Sequence, residues 1–195
     1  MSATEDSPVS HAQRQVGRRS IHLFDGVFDP GFVTAFALLA SRLPYLRTEY
    51  DSESSRDFLH LKHEWQTADF PVHPLQRKLW QEVDTRVTEL YSASAPSIHR
   101  IHANDAPYGD YMATHTDSAP GVTAVYFANS EWRDEWQGEL ILYDGEEPVT
   151  AVAPRPGRLV IFPGDIPHRA GVPARTCPHS RITLAFKYVC ERQTD

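Results

Sequence analysis

His115-Thr116-Asp117, then Thr123-Ala124-Val125-Tyr126-Phe127-Ala128-Asn129 and, far downstream, His168, set the reading of this chain. Residues two apart point to the same side of a pleated strand, so His115 and Asp117 present an imidazole and a carboxylate together. A second imidazole from a distant strand completes a set that can hold one ferrous ion on one face and leave the opposite face open. Arg181, beyond His168, offers a planar cationic fork suited to a dicarboxylate.

Working outward, the half of the chain around these residues reads as short strands. They are expected at Ser97–Asn104, Tyr111–Asp117, Thr123–Asn129, Glu139–Tyr143, Val149–Val152, Arg158–Phe162, His168–Val172 and Arg181–Val189. Turn signals separate them: Ala106-Pro107, Pro120-Gly121, Asp144-Gly145, Pro156-Gly157 and Pro163-Gly164. Upstream, Asp29-Pro30 makes a helix start, with Asp as N-cap and Pro at the first helical position. Phe32, Phe36, Leu39 and Leu43 follow at helical spacing and Pro44 closes the element. A second helix is expected over Leu75 to Tyr91, where Leu75, Leu79, Val83 and Val87 form an apolar stripe. Two helices followed by about eight short strands imply a mainly β fold, an antiparallel double sheet of jelly-roll type with helices flanking one face.

Residues 1–20 are polar and rich in Ser, Gln and Arg, and read as a disordered tail. Residues 21–195 then form a single domain, with helical support over 29–92 and the strand-rich part over 97–189. The stretch from Arg47 to Asp69 is polar and irregular, a candidate lid or substrate loop.

Composition narrows the function. Of 195 residues, 41% are hydrophobic and 23% charged, ordinary for a soluble globular chain. No apolar stretch is long enough to span a bilayer, and the polar N-terminus is no secretory signal, so a cytoplasmic location is the expectation. Cys177 and Cys190 provide neither a disulfide framework nor a Cys-x-x-Cys metal pair. A net charge of -7 argues against nucleic acid as a partner. Between Glu131 and Glu147, seven acids stand against Arg133 alone; beside the site mouth they would favour a cationic substrate.

At this point the chain resembles the 2-oxoglutarate/Fe(II)-dependent oxygenase superfamily, in particular its prolyl-4-hydroxylase-like branch. The resemblance covers roughly residues 97–189 and runs through ordered segments. These are Tyr108-Gly109 before His115-Thr116-Asp117, then Ala124 to Asn129, then Trp136-Gln137-Gly138-Glu139-Leu140. Pro154 to Phe162 and His168 follow, and Arg181-Ile182-Thr183-Leu184-Ala185-Phe186-Lys187 comes last. The resemblance implies a double-stranded β-helix, cupin-like, holding iron through His115, Asp117 and His168 as catalytic metal ligands. It also implies 2-oxoglutarate with its far carboxylate on Arg181, assisted by Thr183, and dioxygen as co-reactant, with ascorbate as reductant in vitro. Relatives place a Tyr hydroxyl near that carboxylate where this chain has Phe127; Tyr126, adjacent, is the remaining candidate. The interval from His168 to Arg181 is longer than usual for the family, which leaves Arg175 as a rival anchor. The carboxylate ligand Asp117 argues against halogenation.

Asp110, Trp132 and Arg169 are candidate substrate contacts. His60, His63 and His73 suggest a site lid but read rather as residues of a solvated loop, and His99 and His102 as one exposed and one packed. The implied activity is a dioxygenase that hydroxylates or otherwise oxidises a C–H bond of a small polar, possibly cationic, natural-product-type substrate. Two alternatives stand beside it: a prolyl hydroxylase acting on peptide or protein, and a metal-binding jelly-roll sensor without turnover.

Overall fold

A computed structural model describes residues 9–117 and 119–191. Eleven strands and two helices run through them. In chain order the strands are β1 (Ser10–Val16), β2 (Arg19–Asp25), β3 (Leu46–Glu49), β4 (His60–Trp65), β5 (Ser97–Ala106) and β6 (Gly121–Phe127). Then come β7 (Leu140–Asp144), β8 (Glu147–Val152), β9 (Leu159–Pro163), β10 (His168–Ala170) and β11 (Arg181–Val189). The helices are α1 (Pro30–Ala40) and α2 (Pro74–Tyr91). The strands form an eight-stranded sheet in the order β1-β2-β9-β6-β11-β5-β4-β3 and a three-stranded sheet β10-β7-β8, every pairing antiparallel. This is the mainly β, double-sheeted fold with flanking helices that the sequence implies.

The alternation within strands sorts side chains to two faces of the large sheet. Tyr126 on β6, Leu159 and Ile161 on β9, and Ile182, Leu184, Phe186 and Tyr188 on β11 pack with Phe32, Phe36, Leu79, Val83 and Val87 of the helices. The other face sends Val125, Phe127, Val160 and Phe162 against Leu140, Leu142 and Val152 of the small sheet. Burying both faces is the main stabilising term, since each large apolar side chain removed from water is worth about 1.5–3 kcal/mol. Helix α1 starts as its sequence requires: Asp29 accepts from the Phe32 amide at 2.8 Å and Pro30 occupies the first position.

Three expectations need correction. The polar tail does not extend to Ser20: Ser10–Val16 pairs with Arg19–Asp25 as a hairpin on the edge of the large sheet, and Val16 and Ile21 are buried. Residues 1–8 of that tail lie outside the described residues. Tyr111–Asp117 is not a strand; only His115 pairs, in an isolated bridge to His168. Pro107, lacking an N–H, and Gly109, at φ +81°, end the β5 ladder just before this segment. Finally, Arg47–Asp69 is not irregular throughout: β3 and β4 extend the large sheet, with Leu61 opposite Asp105 and Lys62 opposite Asn104 on β5, and residues 50–59 connect them. Its polarity belongs to charged side chains that pair with one another across those strands.

Candidate metal and cosubstrate site

His115 and His168 meet because their backbones pair directly. The His115 amide donates to the His168 carbonyl at 3.0 Å, and the His168 amide returns a bond to His115 at 2.9 Å. Asp117 is fixed two residues along by its own amide, which donates to the Gly164 carbonyl at 2.7 Å. One ligating atom from each of His115, Asp117 and His168 lies within 4.8 Å of the others.

The side chains are oriented as metal ligands need to be. The Nδ1 of His115 lies 3.1 Å from the Ala113 carbonyl, and that of His168 lies 2.9 Å from the Ile166 carbonyl. Such a bond carries the proton on Nδ1 and leaves Nε2 with its lone pair turned to the shared centre. Accordingly Nε2 of His115 faces Asp117 Oδ1 at 3.7 Å, and Nε2 of His168 faces Asp117 Oδ2 at 3.5 Å. Burial pushes the His168 imidazole down to about 3, so it stays neutral and available as a ligand. Burial alone would raise the Asp117 carboxyl, but the Lys187 ammonium and the neighbouring His168 hold it well below the usual carboxylate range. The donor set therefore fits a ferrous ion: two imidazoles turned to a shared centre and one ionised carboxylate on one side of a cavity.

Arg181 lies on the same side of β11 as Thr183, Ala185 and Lys187, and all four line the cavity that holds the triad. It is 2% exposed. Its Nε donates to the Gly138 carbonyl at 2.7 Å, its Nη1 is 3.5 Å from Thr183 Oγ1, and its guanidinium stacks over Phe127 at 5.0 Å. No carboxylate among the described residues pairs with it. A buried guanidinium without an anion is costly, and burial lowers it to about 10. A dicarboxylate with one end at the triad would remove that cost, so Arg181 and Thr183 fit the cosubstrate end. Arg175 is exposed in a turn, away from this wall.

Other expectations fail. Tyr126 points to the opposite face of β6, edge-on to Phe28 and Phe36 in the helix-side core, so it does not reach Arg181. Phe127 takes that place. None of the three candidate substrate contacts lines the cavity. Asp110 accepts from Arg47 at 2.9 Å and from the Tyr111 amide at 3.1 Å. Trp132 donates to the Gln137 carbonyl at 2.8 Å and packs behind Gly138. Arg169 turns to the Tyr143 hydroxyl at 2.8 Å, as strand alternation next to His168 requires. Of the acidic stretch 131–147, only Leu140 touches the cavity.

The sequence reading also missed residues. Lys187 donates to Asp117 Oδ2, and Thr123 donates to the same oxygen at 2.5 Å. Asp51 accepts from the Ala113 amide at 2.5 Å and lies 3.5 Å from His115 Nδ1. His60, read as solvated, is 2% exposed and lines the cavity, as does the buried His102. One signal was legible: a lysine on the Arg181 face of an otherwise apolar strand.

Residues 99–188 match the model of the 2OG-Fe(II) oxygenase superfamily. No curated protein sequence matches. Among solved structures, a prolyl-4-hydroxylase from Pseudomonas putida superposes with a TM-score of 0.66 at 16% identity, over 90% of this chain and 94% of that one. HygX from Streptomyces hygroscopicus, solved with nickel and 2-oxoglutarate bound, gives 0.64 at 13% identity, over 87% and 82%. The α-ketoglutarate-dependent epimerase SnoN from nogalamycin biosynthesis gives 0.64 at 16% identity, over 88% and 77%. The chain shares its fold with prolyl 4-hydroxylases, and its residues 99–188 match the model of the 2OG-Fe(II) oxygenase superfamily.

Proposed function

We propose that this protein is a dioxygenase that oxidises a C–H bond of a small polar substrate, with ferrous iron held by His115, Asp117 and His168 and 2-oxoglutarate anchored by Arg181. The observation that carries the reading is the meeting, in one cavity of about 220 Å³, of the oriented triad and a buried arginine without a carboxylate partner. When bound, the metal and its cosubstrate supply the oxidising power by activating dioxygen.

The chain's own residues bind, orient and exclude water. His115 and His168 present Nε2 because backbone carbonyls hold their Nδ1 atoms. Asp117 is steadied on Oδ2 by Thr123 and Lys187, leaving Oδ1 for the metal. Arg181 and Thr183 take the far carboxylate, and Val125, Leu140, Ala170 and Ala185 give the cavity dry walls.

The small size of the cavity, with Tyr50 and Asp51 of the β3–β4 connection in its wall, supports a small molecule over a protein chain. Support for a cationic substrate weakens, since the acidic stretch stands outside that wall. Among the described residues no helix is long and apolar enough to cross a membrane.

The test is succinate formation from 2-oxoglutarate with ferrous iron and ascorbate, across sugars, amino acids and prolyl peptides. Iron-dependent succinate stimulated by a small molecule supports the reading. Stimulation by prolyl peptides alone replaces the substrate class, and failure of the metal-loaded protein to bind 2-oxoglutarate overturns the enzyme reading.

A further inference from the structure

The cavity has a second wall that neither the metal nor the cosubstrate requires. It is built by β3, β4 and β5, whose Glu49, His60, Arg100 and His102 face inward, with Asp51 just beyond β3. The charged members of this wall are engaged with one another. Arg100 bonds Glu49 at 2.8 Å and Glu64 at 3.0 Å, and Lys62 bonds Glu49 at 2.6 Å. Asp51 holds the Ala113 amide, and Lys187, opposite Arg100 across β5 and β11, holds Asp117.

What remains without a partner is neutral and polar. Nδ1 of His60 and Nδ1 of His102 are buried with no hydrogen bond, although both residues line the cavity. His60 is 2% exposed and His102 4%. A buried donor or acceptor left unpaired destabilises a fold, so such atoms are expected where a ligand supplies the partner. Asn104 Oδ1 is also unpaired, but it lies opposite Thr183, at the cosubstrate end. Two imidazoles that are not metal ligands, each with an unpaired Nδ1, thus line the wall beyond the triad.

A neutral imidazole has one N–H and one lone pair, which complements a hydroxyl, itself both donor and acceptor. Charge of either sign is disfavoured here. The fixed charges of the wall are already paired, Arg100 with Glu49 and Glu64, Lys62 with Glu49 and Lys187 with Asp117, so a charged substrate finds no free counter-ion. We infer that His60 and His102 form the substrate subsite, and that the substrate presents uncharged hydroxyl groups to them. This deepens the oxygenase reading and rests on it.

Glucose, glucosamine and glucuronate share a ring and differ in charge, so they separate the possibilities; myo-inositol and glycerol extend the neutral set. The protein is loaded anaerobically with ferrous iron and 2-oxoglutarate, whose visible absorption band reports cosubstrate binding. Each compound is then titrated by intrinsic tryptophan fluorescence. The expected result is that a neutral polyol binds at least tenfold more tightly than either charged hexose. His102→Phe and His60→Phe should each weaken that binding tenfold or more, and His102→Gln, which keeps a polar atom, should weaken it less. The phenylalanine variants should also raise the unliganded melting midpoint, because each removes an unpaired buried nitrogen. Tightest binding by a charged hexose overturns the neutral class. Binding by none, with the absorption band present, overturns the subsite while the oxygenase reading stands. Absence of the band removes that reading and the subsite with it. A lower midpoint in both phenylalanine variants, with polyol binding unchanged, assigns the imidazoles to structure alone.

Discussion

The chemistry rests on a few side chains whose neighbours fix their form. Replacing His115 or Asp117 by Ala should abolish iron-dependent succinate formation and remove metal binding measured by calorimetry; retained turnover would refute the ligand assignment. Arg181→Met should weaken 2-oxoglutarate binding about 10- to 100-fold, the equivalent of charge-assisted hydrogen bonds worth about 1.5–3 kcal/mol. Arg181→Lys should recover only part of that, because an ammonium lacks the planar fork. The buried His168 also makes the metal-free protein acid-sensitive. Its folded value of about 3 lies below its ordinary 6.5, so the unfolded chain binds the extra proton first. Its contribution is complete above about pH 6.5 and declines as the pH falls toward 3, with the lowered Asp117 adding to the loss below 3.8. Thermal midpoints of metal-free protein across this range should fall steadily on acidification, and a flat profile would contradict a neutral, buried His168.

The site is only as exact as the elements that carry it. The turn before β9 approaches α1 so closely that a Cβ on Gly157 would lie 2.7 Å from Val33 Cγ2, at a φ of +72°. Gly157→Ala should therefore cost about 1–3 kcal/mol of strain, a drop of roughly 3–10 °C in the melting midpoint for a domain of this size. An unchanged midpoint would show that α1 yields at no cost. At the start of β9, the Arg158 guanidinium grips Asp25 of β2 through two bonds, at 2.8 and 2.6 Å, joining the hairpin to the sheet. That grip explains why a polar segment that reads as a tail folds as a strand pair: its order comes from the neighbouring β9, which a local reading does not contain.

The protein as a whole holds its ligands between two sheets. Asp117 and His115 come from the irregular segment after β5, His168 from the small sheet, and Arg181 from the centre of the large one. Ligands that bridge these parts bind only the folded state. Ferrous iron with 2-oxoglutarate at a hundred times its dissociation constant should add about 2.7 kcal/mol. The midpoint should rise by roughly 5–10 °C. Chelation should reverse the gain, and a midpoint indifferent to both would argue that the site is not preformed across the sheets.

Local pattern was enough to read the double-sheeted fold, α1 with its Asp29-Pro30 start and the full span of β11, and to single out His115, Asp117, His168 and Arg181, which the structure gathers round one cavity. Each depends on short-range rules: alternation, helical spacing, capping and turn residues. Tyr126 was a candidate through the resemblance alone and runs against these rules, since adjacency to Phe127 on a pleated strand means facing the opposite side, into the helix-packed core. They gave no sign that His60 and His102 share a cavity with the triad, or that Lys187 rests on Asp117. Those meetings depend on which strands lie side by side, β4 against β5 and β5 against β11. Strand order is a long-range property, decided when apolar faces distant in sequence are buried together, and no window of residues contains it.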